Sequence, residues 1–160
     1  MPKSTPRAGK KRAGSESPSP AEHTRLRKAD YDVLAEFRYL LRQFLAFSEQ
    51  AAHTAGLTPR QHQALLAIKG FPGRERVSVG ELAERMGIRH HSAVGLIDRL
   101  AREQLVRRSR EPADRRQVWL QLTARAERLL GRLALAHRSE LRRLAPVLNG
   151  LLAQLEQDPG

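Results

Sequence analysis

Along most of this chain the apolar residues keep a helical step, but over one short stretch they switch to a period of two. That switch restricts the fold more than any other feature. Val118, Leu120 and Leu122 alternate with Gln117, Trp119 and Gln121, as expected for a half-buried strand. Leu105-Val106 open a strand running to Arg110, and Glu111-Pro112-Ala113-Asp114 between the two carries turn chemistry. A single hairpin in a helical chain excludes sandwiches, barrels and parallel sheets, leaving a mainly α protein with a small β element.

The helical parts have clear starts and stops. Leu34, Phe37, Leu41 and Phe44 recur at three- and four-residue steps, joined by Leu40, Leu45 and Phe47. This predicts an amphipathic helix from Asp30 to Ala55, with Gly56 as its stop. Thr58-Pro59-Arg60-Gln61 opens a second helix with a capping box and a proline at the first helical position. Its buried face is Ala64, Leu65 and Ile68, and Gly70-Phe71-Pro72-Gly73 ends it. Ser78-Val79-Gly80-Glu81 is a second capping box, opening a short helix from Val79 to Met86 with Leu82, Ala83 and Met86 inside. Past Gly87, a further helix spans His91 to Glu103, with Val94, Ile97 and Leu100 as its apolar face. Two short helices across a tight glycine-containing turn make a helix-turn-helix, and the hairpin after it is a wing.

After the hairpin, Thr123 caps another helix, with Leu129, Leu130 and Leu133 inward. Leu141, Leu144, Leu148, Leu151 and Leu155 then step by three and four, an a/d seam of about two heptads. Pro146 and Gly150 interrupt this seam, and Pro146 is expected to kink or break the helix.

Charge narrows the partner. Twenty-nine basic residues against 17 acidic ones give +12. Six of those charges fall in residues 1–28, with four of the nine prolines and no apolar repeat. Such a segment is expected to be a disordered tail, either simply solvated or a basic arm on phosphates, with Lys10, Lys11 and Arg12 foremost. A second excess, nine arginines against four acids, lies in 85–116, over the helix-turn-helix and wing. A basic, aromatic-poor chain suggests nucleic acid as partner, and double-stranded rather than stacked single strands. Cysteine is absent, so a disulfide framework, thiolate metal site and thiol redox sensing are excluded. No apolar run approaches the ~18 residues of a membrane span, and the first thirty residues lack the apolar stretch of a secretory signal. The expected location is the cytoplasm. No phosphate loop, dinucleotide glycine pattern, nucleophile elbow or metalloprotease motif occurs, so no enzyme activity is expected. The six histidines lack ligand spacing, and neither metal nor cofactor is expected.

In order and spacing the chain resembles the MarR family of winged-helix transcriptional regulators. The carrying residues are Gly56-Leu57-Thr58, Val79-Gly80-Glu81-Leu82-Ala83, Leu96-Ile97-Asp98-Arg99-Leu100, and Asp114-Arg115-Arg116 followed by Leu120, Leu122 and Thr123. The resemblance covers residues 30 to about 157. It implies a homodimer joined through Leu34, Phe37, Leu41, Phe44, Leu141, Leu144, Leu148, Leu151 and Leu155. The resulting divisions are a tail (1–28), an N-terminal dimerisation helix (29–57), a winged helix-turn-helix (58–123) and C-terminal dimerisation helices (124–160). It further implies a repressor on a pseudo-palindromic operator, released by a small-molecule effector bound between the dimer helices and the winged helix. His53 and His62 are the histidines placed to face such a cleft, or else to be ordinarily part-buried. The competing reading is a non-specific or architectural DNA binder using tail and wing.

Site residues follow from helix-turn-helix geometry, in which the N-terminal end of the recognition helix reaches the bases. His90, His91 and Ser92 are expected at base edges, with Arg89, Gly95 and Arg99 also outside the apolar face. Gly95 would let the helix approach closely. Arg107, Arg108 and Arg110 are expected on phosphates, or as the charged guard of a hairpin edge. Ser78 heads a helix N-terminus that caps or holds a phosphate. Family precedent puts a wing-tip arginine in the minor groove, Arg115 before Arg116, with Asp114 tying one of them down.

Overall fold

The computed structural model describes residues 27–111 and 114–156, and of residues 111, 114–116 and 156 only the backbone. Five helices and three strands follow in order: α1 (Lys28–Thr54), α2 (Pro59–Lys69), β1 (Val77–Ser78), α3 (Val79–Arg85), α4 (His90–Arg102), β2 (Val106–Glu111), β3 (Asp114–Leu122) and α5 (Ala124–Glu156). The expected basic tail lies outside the described residues, apart from its last two.

Both capping boxes form. Thr58 Oγ1 accepts from the Gln61 amide at 3.2 Å, and Gln61 Oε1 accepts from the Thr58 amide at 2.8 Å. Ser78 and Glu81 repeat the exchange at 3.2 and 2.8 Å. The stops are equally well built. Gly56 and Gly87 adopt φ of +76° and +62°. In each case the following amide reaches back to the helix, Leu57 to the Ala52 carbonyl and Ile88 to the Ala83 carbonyl, both at 3.0 Å. This 6→1 closure satisfies carbonyls the helix end leaves open. Helix α4 ends the same way, Leu105 reaching the Leu100 carbonyl at 2.8 Å, but with Gln104 at φ +58° in the glycine position.

The sheet order is β1-β3-β2, all antiparallel. Strand β1 was not expected; its two residues, Val77 and Ser78, pair with Leu120 and Trp119. The winged helix has one core, in which Leu65, Ile68, Leu82, Ile97, Leu100, Leu105, Leu120 and Val77 are fully buried. Leu130 and Leu133 of α5 and Ala52 of α1 belong to it, so the long helices are rooted in the domain they flank.

A second cluster joins α1 to α5 farther out. Val33, Leu40, Leu144 and Leu151 are buried there, with Phe44 and Leu148 against them. This changes part of the expected dimer seam. Leu144, Leu148, Leu151 and Phe44 are engaged within the chain, whereas Leu34, Phe37, Leu41, Leu141 and Leu155 remain exposed. The expected break at Pro146 is absent: α5 is helical from Ala124 to Glu156 with Pro146 inside it. Proline removes one N–H, and the Arg142 carbonyl that would have received it belongs to an exposed residue.

Candidate nucleic-acid interface

The site begins at the N-terminus of α3. Ser78 serves there as a cap, its hydroxyl oxygen engaged by the Glu81 amide. The Ser78 backbone N–H, donated in return to the Glu81 carboxylate, holds that carboxyl below its usual range, and Arg74 lowers it further. Arg74 also pairs with Glu81. Its guanidinium lies 4.8 Å from the Phe71 ring centre and 5.0 Å from that of Trp119, and Arg76 covers Trp119 at 4.5 Å. Trp119 is therefore a packed element of the wing's base.

Helix α4 starts at His90, with Arg89 at its cap. Arg89, His90, His91 and Arg99 are exposed, and Ser92 and Gly95 half-buried. A Cβ added at Gly95 would meet nothing within 4 Å. The apolar face is rotated from the expected one. Ala93, Leu96, Ile97 and Leu100 are buried, whereas Val94 is 38% exposed. Val94 joins the outer face because an α-helix turns 3.6 residues, and a strict step of three drifts off the core.

Between α4 and the wing lies an open cleft of about 660 Å³, bordered by Ser78, His90, Val94, Arg108, Arg110 and Val118 among others. The register of β2 on β3 splits the three strand arginines. Arg108 is opposite Leu120 and Arg110 opposite Val118, while Arg107 is opposite Gln121. Directly paired residues share a face, so Arg108 and Arg110 border the cleft and Arg107 projects from the other side. Arg108 forms an ion pair with Asp98 of α4. Both groups are substantially exposed, so the pair orients the wing on the recognition helix more than it stabilises the fold. The side chains of Asp114, Arg115 and Arg116, and with them the expected minor-groove contact, lie outside the described residues.

The joint between the long helices α1 and α5 and the winged helix holds the remaining polar cluster. His62 of α2 is buried, its ring 4.8 Å from that of His137 on α5. His137 Nδ1 lies 2.7 Å from the Leu133 carbonyl oxygen and Nε2 lies 2.9 Å from Ser48 Oγ. Phe44 and Phe47 meet the His137 ring edge-on. Burial, with His137 beside it, lowers the His62 pKa. His53 is exposed. Among the described residues no three histidine, aspartate or glutamate side chains gather as metal ligands.

A helix-turn-helix, a three-stranded wing on its flank and two long helices rooted in the same core are now in view. Residues 55–117 match the MarR family. Over that stretch the chain is similar to the MarR family, and its fold is a winged helix. Solved MarR-like structures share its fold. AbsC, a MarR family transcriptional regulator from Streptomyces coelicolor, is 20% identical over 83% of this chain and 98% of its own, with a TM-score of 0.61. RV1404 from Mycobacterium tuberculosis is 18% identical over 84% and 97%, with a TM-score of 0.66. A mutant MarR from E. coli complexed with operator DNA is 18% identical over 79% and 89%, with a TM-score of 0.60. No curated protein matches. The winged helix departs from what the sequence predicts in the phase of α4 and in the separation of Arg107 from its neighbours. Neither carried a signal beyond local spacing.

Proposed function

We propose that this protein is a homodimeric, sequence-specific regulator of transcription that binds double-stranded DNA at a pseudo-palindromic operator, acting as a repressor that a small-molecule effector releases. The observation carrying the reading is the solvent-facing start of α4, where Arg89, His90 and His91 are exposed beside a cleft edged by Arg110. Side chains that donate and accept stand where a recognition helix reaches base edges, with cations beside them for phosphates.

The dimer reading rests on apolar surface that one chain leaves uncovered. Leu34, Phe37, Leu41 and Leu45 of α1, and Leu135, Leu141, Val147, Leu152 and Leu155 of α5, are all exposed. Surface of that extent on two adjacent helices calls for a partner, and a second copy supplies a self-complementary one. The effector reading rests on the joint. An open cleft of about 530 Å³ between α1 and α5 includes Phe47, Gln50, Thr54 and Arg132, close to the helices whose tilt would set the spacing of two recognition helices. A ligand preferring the DNA-incompetent spacing would release the operator. A cytoplasmic location suits a DNA partner, and no helix among the described residues is long and apolar enough to cross a membrane.

Selection from randomised duplex DNA at about 0.15 M salt tests the reading. The expected result is a two-fold-symmetric motif. Binding without an enriched motif would refute it in favour of a non-specific binder driven by the +12 charge.

A further inference from the structure

Between Leu57 and Leu133 the described residues expose only two large apolar side chains, Leu66 at 49% and Val94 at 38%. The other exposed ones all lie on α1 and α5, where a second copy would cover them. Leu66 is on α2. Val94 is on the recognition helix, one turn beyond His90, and borders the same cleft. Residues four apart lie on one helical face, so Val94 stands directly behind the expected base-reading histidine. Arg108 and Arg110 edge the cleft across from it. The neighbouring Gly95 has no side chain and meets nothing, which leaves the Val94 methyl groups prominent on that surface.

An exposed branched apolar side chain on a helix otherwise presenting arginine, histidine and serine calls for an apolar partner. The major groove offers one, the C5-methyl group of thymine. We propose that Val94 is a specificity-determining residue that reads one thymine methyl in each half-site, adjacent to the base pair met by His90. This rests on the sequence-specific reading above and names a base that reading leaves open. Valine is suited to the role, since its rotamer is nearly fixed in a helix, so little side-chain entropy is lost on contact.

The test replaces thymine by deoxyuridine, one position at a time, in the operator obtained by selection. Deoxyuridine pairs as thymine does and lacks only the methyl. For the native chain, one symmetry-related position is expected to lose about fourfold in affinity per half-site, the worth of one buried methyl at about 0.8 kcal/mol. Replacing it in both half-sites gives about fifteenfold. Val94→Ala should bind the thymine operator more weakly and show no difference between thymine and deoxyuridine at that position. Because Val94 is exposed, the variant should fold, and an unchanged circular dichroism melt checks this. Insensitivity of the native chain to deoxyuridine everywhere, or sensitivity that survives in Val94→Ala, would overturn the inference and leave sequence-specific binding standing. Failure to select any motif would overturn both.

Discussion

Gly95→Ala separates the stability of the recognition helix from its approach to DNA. Gly95 lies inside α4, at helical φ, and an added Cβ meets nothing within 4 Å. Glycine in a helix interior is less favourable than alanine by about 1 kcal/mol, and no clash offsets the gain. For a fold of this size, 1 kcal/mol corresponds to a rise in Tm of about 4 °C. If α4 sits against the floor of the major groove at Gly95, the same methyl has no room in the complex. Overpacking costs roughly 1–3 kcal/mol per site. At the low end, two half-sites give about 2 kcal/mol, close to a thirtyfold loss of affinity. Thermal melts at one fixed protein concentration, since the proposed dimerisation would make Tm concentration-dependent, give the first quantity. Fluorescence anisotropy with the selected operator gives the second. A variant that is more stable and binds as well as the native chain would refute the close approach. A variant that is less stable would refute the reading of open space around Gly95.

Ser78→Ala removes the cap of α3 and should cost about 1 kcal/mol in urea denaturation; a loss of operator affinity exceeding that of stability would instead mark Ser78 as a phosphate contact. Leu34→Glu combined with Leu141→Glu places charge on the exposed apolar faces, and sedimentation should show monomers of unchanged helicity. Arg110→Ala removes one phosphate contact per half-site, so the slope of log K against log salt should fall by about 1.8 for a dimer; an unchanged slope would place Arg110 off the backbone. The lowered pKa of His62 means the unfolded chain binds its proton more readily. His62 therefore favours folding above its unfolded pKa of about 6.5, and that contribution is lost as pH falls through the lower folded value. Stability measured from pH 7.5 to 5 should decline, less so in His62→Leu.

Much of the architecture is legible from local chemistry. Thr58/Gln61 and Ser78/Glu81 mark helix starts by groups that complete each other's hydrogen bonds, and Gly56 and Gly87 mark the ends. The alternation through Leu120 and Leu122 locates the wing. What stays hidden depends on contacts distant in sequence. Val77-Ser78 is a strand only because β3 lies beside it. Steps of three through Val94, Ile97 and Leu100 look as regular as the true face, which is completed by Ala93, a residue too small to signal burial. A leucine seam does not say which helix covers it, and Leu144 and Leu151 meet Leu40 and Val33 of the same chain. For the site, the residues at the start of α4 could be placed from sequence, but the Asp98–Arg108 pair, ten positions apart, could not.

Helix α5 belongs to two bodies at once. Leu130 and Leu133 are held in the winged-helix core, and Leu144 and Leu151 grip α1 beyond it. Thirty-three residues rise about 50 Å at 1.5 Å each, with no linker between. Such a shaft works as a lever. Tilting it about 4° at its outer end shifts the far end by about 3.4 Å, one base-pair step. The reach of a dimer along DNA would then be geared to side-chain adjustments the size of a rotamer change at the grip.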